Sequence, residues 1–480
     1  MGADEIELKF LCEPQDVAAL LAAAPVGAAE TKQLAATYFD TPDGRLKAAH
    51  ISLRLRESDG RRVQTLKRGD GFAREEHEAR ITGAALDLTM PAVKAALKPA
   101  QRKALAPVFT VRVTRQQRTF TYEGAEIELA LDQGEITAGD QQRRLCELEL
   151  ELKSGDPAAL FVLARQLSVT APLYLSFDGK ASQGQALMAG TRHEPRRHDK
   201  APLRRGGTTG QAFQTIARNA LVQIAANGVV LRETDSEDAL HQLRVAVRRL
   251  RSAMSTFKTV AQDAGTRGLK AELKWLSRAC DDARDLDVFS NDNLRIAGEK
   301  APLAPRVAAA RAEAHAKACA AVSSKRFRDL VLETTAWVET GAWRQTAPGH
   351  RSARDFAAKA LDRRWKTLLK LGHDVRGLDD AGRHRVRIAA KKLRYAAEAF
   401  APLFTAEPGR RFLKKMKALQ DTLGALNDAA VAQTLVARLA PTDSPAARDL
   451  LSAREAKRPR ALKQAARQMK ALAQAKPFWR

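Results

Sequence analysis

Glu5, Glu7 and Lys9 alternate with Ile6, Leu8 and Phe10. In a β-strand that spacing puts two carboxylates and an ammonium on one face and three apolar side chains on the other. The pattern recurs. Ser52, Arg54 and Arg56 share a face in a second stretch, Thr65 and Lys67 in a third, and Glu147, Glu149 and Glu151 in a fourth. Alternation of this kind ordinarily marks a sheet with one solvated side. Here the polar side carries runs of one ion type, three Glu in one stretch and two Arg in another. Carboxylates set beside cations suit a ligand that brings both metal and phosphate, because hard divalent ions take oxygen from carboxylate, phosphate and water. Arg and Lys then take the remaining phosphate oxygens.

Strands with a polar inner face need cover for their apolar outer face, and the intervening segments supply it. Asp16 to Ala24 and Pro91 to Leu105 read as helical pieces rich in Ala and Leu, and Thr41-Pro-Asp-Gly44 and Asp70-Gly71 read as turns. Asp132 stands just before a Gln-Gly pair, where a carboxylate caps its own backbone as readily as it binds a ligand.

Glu5-x-Glu7-x-Lys9, Arg54-x-Arg56, Thr65-Leu66-Lys67, Arg74-x-Glu76-x-Glu78, Leu131-Asp132-x-Gly134-Glu135-Ile136 and Glu147-x-Glu149-x-Glu151 follow one another along residues 1–190. In that order they resemble the CYTH family, the triphosphate tunnel metalloenzymes. The resemblance implies an α+β domain built on an eight-stranded antiparallel β tunnel, open at both ends, with divalent metal and a triphosphate inside. It implies metal ligation, of Mg²⁺ or Mn²⁺, by Glu5 and Glu7 with some of Asp132, Glu147, Glu149 and Glu151. The phosphates would fall to Lys9, Arg54, Arg56, Lys67, Arg115 and Lys180, with Glu5, Glu7 and Lys9 at the catalytic centre. Arg112 and Arg118 compete with Arg115 for its role, and Lys180 lies in Ser176-Phe-Asp-Gly-Lys180, followed by Gly184.

The chain of 480 residues is too long for one core, so two or three domains are expected. No run of 18 apolar residues occurs and the N-terminus is acidic, which argues against a membrane span or secretory signal. Cys12, Cys146, Cys280 and Cys319 show no paired spacing, so neither a disulfide framework nor a zinc site is suggested and a reducing cytoplasm is expected. The formal charge is +25. Residues 1–190 hold 24 Lys+Arg against 26 Asp+Glu, a net of −2, which leaves +27 for residues 191–480. The surplus therefore belongs to the second part, as for a surface that docks a long polyanion.

Residues 191–206 are basic, bear Pro and Gly and lack periodicity, and read as a linker; His193 and His198 within it are spaced poorly for a shared metal. From 207 to 480 the composition turns to Ala, Leu, Arg and Lys at helical spacing. His241-Gln-Leu-Arg-Val-Ala-Val-Arg-Arg-Leu-Arg251 matches His384-Arg-Val-Arg-Ile-Ala-Ala-Lys-Lys-Leu-Arg394 at an offset of 143, which also aligns Phe213 with Phe356 and Asp285 with Asp428. A duplicated helical unit follows, with copies at about 211–290 and 354–433. On a helix His241, Arg244, Arg248 and Arg251 fall in a stripe about 80° wide, and His384, Arg387, Lys391 and Arg394 do the same. Like charges so placed repel and call for a counter-ion. The repeated motif resembles the CHAD family, the conserved-histidine α-helical domain. The resemblance implies an all-helical fold that binds inorganic polyphosphate through these two stripes with Arg249 and Lys392. The second copy departs at Asn427-Asp428-Ala-Ala430, where the first has Arg284-Asp285-Leu-Asp287.

Together these readings predict metal-dependent hydrolysis of inorganic triphosphate in the first domain, with polyphosphate held by the second, in the cytoplasm and at polyphosphate granules. A thiamine triphosphatase or nucleotide cyclase is the alternative within the same tunnel chemistry. A non-catalytic polyphosphate adaptor is the alternative outside it, although anion binding alone has no use for six carboxylates. Specific nucleic-acid recognition would need aromatics interleaved with the Arg stripe, and only Tyr395 and Phe257 lie near.

Overall fold

A computed structural model describes residues 3–69, 73–199, 203–297, 303–440 and 444–480, and for 3–5, 73, 74, 292–297 and 446 the backbone alone. The side chains of Glu5 and Arg74 thus lie outside the described residues. The chain divides into two compact units, residues 1–194 and 195–480.

The first unit is a closed antiparallel sheet of β1 (Ala3–Leu11), β2 (Ala28–Asp40), β3 (Ile51–Ser58), β4 (Arg61–Arg68), β5 (Ala73–Ile81), β6 (Ala106–Tyr122), β7 (Ala125–Ala138), β8 (Gln141–Ser154) and the short β9 (Tyr174–Ser176). The order is β5-β4-β3-β2-β6-β7-β8-β1-β9. Along one edge β1 pairs with β8, and along the other with β5 through residues 3–6 and with β9 through residues 9–11. Eight strands therefore close on themselves into a barrel. Two of the hairpins turn on Asp59-Gly60 and Glu123-Gly124, all four residues at positive φ, as a two-residue I′ turn requires.

The outward faces are apolar and covered. Leu46 of α2 (Arg45–Ala48) and Val93 of α3 (Pro91–Ala96) pack on Ile51, Leu53 and Leu66. Elsewhere α1 (Val17–Ala23) and α5 (Ala158–Thr170) pack together, with α5 against β8. The stretch Pro91 to Leu105 is not one helix. Leu97 is extended, and Lys98 is held extended by the following proline before α4 (Pro99–Lys103) begins.

Inside, one end of the barrel is apolar. Ala36, Tyr38, Phe109, Val111, Ile136 and Leu145 point inward there and close on Leu187 and Ala181 of α6 (Lys180–Met188). A Cβ on Gly184 would lie 2.2 Å from the Phe109 ring, so only glycine lets α6 come this close. A tunnel open at both ends was the expectation; α6 fills one end, and the polar cavity occupies the remaining length.

The second unit is all-helical: α7 (Thr209–Thr234), α8 (Glu237–Thr256), α9 (Thr266–Ala279), α10 (Asp281–Ala297), α11 (Ala304–Ser323), α12 (Lys325–Thr340), α13 (Ala353–Gly372), α14 (Asp380–Phe400), α15 (Ala406–Leu439), α16 (Pro445–Glu455) and α17 (Arg458–Ala473). At the offset of 143, α7 and α8 correspond to α13 and α14, and α9 with α10 corresponds to the single helix α15. Four phenylalanines related by that offset pack together, with ring centroids 5.2 Å apart for Phe213–Phe257, 4.8 Å for Phe257–Phe356 and 5.5 Å for Phe257–Phe400. The stretch read as a linker is partly tied down, since the Arg196 amide donates to Asn227 Oδ1 and Asn227 Nδ2 donates back to the Arg196 carbonyl. Among the described residues no helix is long and apolar enough to cross a membrane.

Candidate functional site

The barrel interior holds a cavity of about 680 Å³ lined by alternate residues of eight strands and the start of α6. Period 2 selects Glu7 and Lys9 from β1, Arg54 and Arg56 from β3, Thr65 and Lys67 from β4, Arg115 from β6 and Glu149 and Glu151 from β8, with Lys180 entering from α6. All six cations expected to bind phosphate are therefore brought to one cavity. It is also lined by Lys32, Arg61, Arg80, Lys153, Glu76, Glu78 and Glu128.

The ions interlock. Lys9 Nζ donates to Glu7 Oε2 at 2.6 Å and to Glu149 Oε1 at 2.5 Å. Arg115 forks onto Asp132 through Nε and Nη2, at 2.7 and 2.6 Å, and reaches Glu149 Oε2 at 2.6 Å. Lys180 Nζ lies 2.8 Å from Asp132, 3.0 Å from Glu147 and 2.8 Å from Glu149. On the opposite wall Lys67 meets Glu76 at 3.2 Å and Arg56 meets Glu78 at 3.6 Å.

Charge pairing decides the protonation states. Burial alone would raise the carboxyl of Glu149, but Lys180, Lys9 and Arg115 hold it well below the ordinary carboxylate range. The same contest lowers Asp132, where burial is outweighed by Lys180 and Arg115. Lys180 is pulled down by burial and pushed further up by Asp132, Glu147 and Glu149, so its ammonium stays charged. Arg54, deep in the wall, is hydrogen-bonded to Tyr38.

Asp132 and Glu147, expected among the metal ligands, are both 0% exposed and do not line the cavity. They sit behind Lys180, with Glu147 also accepting from Gln183 Nε2. Gln183 went unread in the sequence. Only its place on α6, one turn from Lys180, brings it to Glu147. Among the described residues no three His, Cys, Asp or Glu side chains converge as a ready-made metal cluster. Among the described residues, the donors facing the cavity are nevertheless carboxylates without His or Cys, the oxygen-only set a hard divalent ion takes.

In the helical unit α8 and α14 pack against each other and bring the two basic stripes together. Lys391 is pushed down to about 7 by burial and by Arg387, Arg248 and Arg244. Asp285 and Asp428, equivalent in the two copies, both act on Arg387. Arg244 has its own counter-ion in Asp281 at 2.7 Å. Arg387, its equivalent, has Gly424 at the position matching Asp281. Among the described residues the buried Nε atoms of Arg248 and Arg387 lack a hydrogen-bond partner. His241 is pushed down to about 4 by burial and by Arg284 and Arg248, so it is neutral near pH 7. His384 is exposed and hydrogen-bonded to Asn427 at 3.0 Å. Not every residue expected to bind polyphosphate joins this cluster. Arg249 and Arg394 both pair with Glu398, at 2.9 and 3.0 Å, Arg251 is half-buried, and Lys392 points to solvent.

An ion-lined antiparallel barrel followed by a duplicated basic helical bundle is thus what the chain folds into. Residues 3–184 match the CYTH domain and residues 215–437 the CHAD domain. The chain belongs to these families, a CYTH domain followed by a CHAD domain. It is 30% identical over 192 residues to an inorganic triphosphatase of Haemophilus influenzae, which is 38% of this chain and 54% of that protein. The chain thus spans about half the length of that curated relative. The crystal structure of the CHAD domain from the plant Ricinus communis is 32% identical, covers 58% of this chain and 98% of its own, and superposes with a TM-score of 0.52.

Proposed function

We propose that the tunnel hydrolyses inorganic triphosphate with a divalent metal, Mg²⁺ or Mn²⁺, and that the helical unit holds inorganic polyphosphate. The observation that carries the reading is the cavity wall, where, among the described residues, ten Lys or Arg and eight Asp or Glu side chains line one space. Such a wall binds a polyanion only together with counter-ions of its own. Glu7, Glu149 and Glu151 would hold the metal, with Glu5 as a further ligand on the family resemblance alone. Bound there, the metal would supply positive charge to phosphate oxygens and polarise the phosphoanhydride.

The chain's own residues do the rest. Lys9, Arg54, Arg56, Lys67, Arg115 and Lys180 bind and align the phosphates, and their charge offsets what develops on the transferred phosphoryl and leaving diphosphate. Asp132 and Glu147 act from behind, fixing Arg115 and Lys180 so that little reorganisation remains when substrate enters. The similarity to an inorganic triphosphatase supports the reaction class.

Substrate choice follows from what the wall lacks. Among the described lining residues Tyr38 is the one aromatic, and its ring is stacked on Phe109 at 4.6 Å, so those residues leave little for a nucleobase or thiazole to stack on. In the helical unit, Arg248, Arg387 and Lys391 at the junction of the copies would grip consecutive phosphates, the arginines by bidentate contact. The test is phosphate release from tripolyphosphate, ATP and long polyphosphate by wild type and Glu149→Gln, with and without metal. Tripolyphosphate turnover that needs metal and Glu149 supports the reading; ATP turnover at equal or higher rate contradicts the substrate assignment.

A further inference from the structure

Cys12 and Cys146, unrelated by spacing in the sequence, meet in the fold. They extend the β1–β8 pairing by one step beyond Leu11 and Glu147, and the Cys12 amide donates to the Cys146 carbonyl at 3.3 Å. Their Sγ atoms are 3.4 Å apart, in hydrogen-bond contact. A disulfide spans Cα atoms about 5.5–6 Å apart, close to the roughly 5.5 Å between directly opposed, hydrogen-bonded residues of an antiparallel pair. Side-chain rotation then closes the gap without moving the strands. The two thiols differ in role. Cys146 is partly exposed and Cys12 is buried behind it. Cys146 is thus the thiol that an oxidant meets first.

We propose that Cys12 and Cys146 form a reversible disulfide on exposure to peroxide, stapling β1 to β8 in the tunnel wall. The Cys146 thiolate attacks one peroxide oxygen, the O–O bond breaks, and the leaving hydroxide takes up a proton to give water and a sulfenic acid. The Cys12 sulfur then attacks the Cys146 sulfur. The S–S bond forms, the S–O bond breaks, and the hydroxide leaves as water with the Cys12 proton. In balance, two thiols and one peroxide give one disulfide and two waters, with sulfur oxidised and peroxide reduced. The staple joins the strand of Glu7 and Lys9 to that of Glu149 and Glu151, and it closes a loop that contains β2 to β7. Such a cross-link restricts the unfolded chain more than the folded one.

The test uses the full chain, purified reduced, treated with hydrogen peroxide, quenched, alkylated and digested without reductant. The expected result is a peptide pair linked through Cys12 and Cys146, released by dithiothreitol and absent from Cys146→Ser, with Cys280 and Cys319 still alkylated. The urea midpoint of the tunnel unit, followed by hydrogen exchange of β8 peptides, is expected to rise on oxidation of wild type and not of Cys146→Ser. Should that variant fail to fold, peptide mapping of wild type alone decides the matter. Full alkylation of both cysteines after a peroxide dose that oxidises free glutathione would overturn the proposal. So would a Cys146 sulfinic acid without linkage, or a linked protein whose midpoint does not move.

Discussion

Lys180→Met keeps most of the length of the side chain and removes its charge from the best-connected point of the tunnel. The side chain is 10% exposed and its ammonium touches Asp132, Glu147 and Glu149, two of which are sealed from solvent. Removing one partner of a buried ion pair costs about 3–5 kcal/mol because a charge is stranded. Here Asp132 and Glu149 keep Arg115, Glu149 also keeps Lys9, and Glu147 keeps Gln183, so we expect about 2–4 kcal/mol at pH 7. The pH dependence carries the mechanism. Asp132 and Glu149 have folded values below their unfolded ones, so their contribution is present above the unfolded value and is lost as pH falls through the lowered folded values. Lys180, shifted upward, contributes fully at neutral pH and is lost only as pH rises through its folded value. The gap between wild type and variant should therefore be widest near neutrality and close in acid. Pulse alkylation of the buried Cys12 across a urea series under reducing conditions reads the stability of the tunnel unit in the intact chain. A difference below about 0.5 kcal/mol at pH 7, or one that stays constant down to pH 3, would refute the account of Lys180.

In the helical unit His315 is raised by its hydrogen bond to Asp287 and, against burial, by that to Asp235, at 2.8 and 2.7 Å. Its contribution is full below the unfolded value and lost as pH rises through the folded one. His315→Gln should cost about 1–3 kcal/mol at pH 6 and less in alkali, read by urea-pulse alkylation of Cys319. Lys391, at about 7 without ligand, gains its charge as pH falls from 8 to 6, so polyphosphate affinity at fixed salt should rise over that range. Lys391→Met should flatten the rise, as measured by calorimetric titration. Gly184→Val drives a methyl-bearing Cβ into Phe109 and displaces Lys180 with α6. Tripolyphosphate hydrolysis should fall roughly 10- to 100-fold while polyphosphate binding by the helical unit is unchanged.

What the sequence displayed well was period and repetition. The charged faces of β1, β3, β4 and β8 were legible because each repeats charged or hydroxyl side chains at alternate positions over a short run. The face of β2 was not, since it runs from Glu30 and Lys32 to Ala36 and Tyr38 as the barrel passes from cavity to plugged end. Nothing in Lys180-Ala-Ser-Gln-Gly announces a helix that enters a barrel, because its packing depends on the missing side chain of Gly184 rather than on an apolar stripe. Asp132 and Glu147 read as ligands in sequence; that they pair with Arg115 and Lys180 in the fold could be known only once α6 was placed. The duplication was visible as identity at a fixed offset, whereas the break between α9 and α10, absent from α15, falls where Asp281 and Asp282 favour a new helix N-terminus. Cys12 and Cys146 could be paired only once strand register was known.

The most direct measurement is phosphate release from tripolyphosphate by the purified full chain with Mg²⁺, Mn²⁺ or excess EDTA, alongside long polyphosphate binding by the same preparation. The account predicts turnover that appears with metal, disappears with EDTA and is lost in Glu149→Gln, while polyphosphate binding persists in all three. Binding of long polyphosphate without release of phosphate from tripolyphosphate under any metal condition would contradict it, and would make the protein a polyphosphate-binding adaptor.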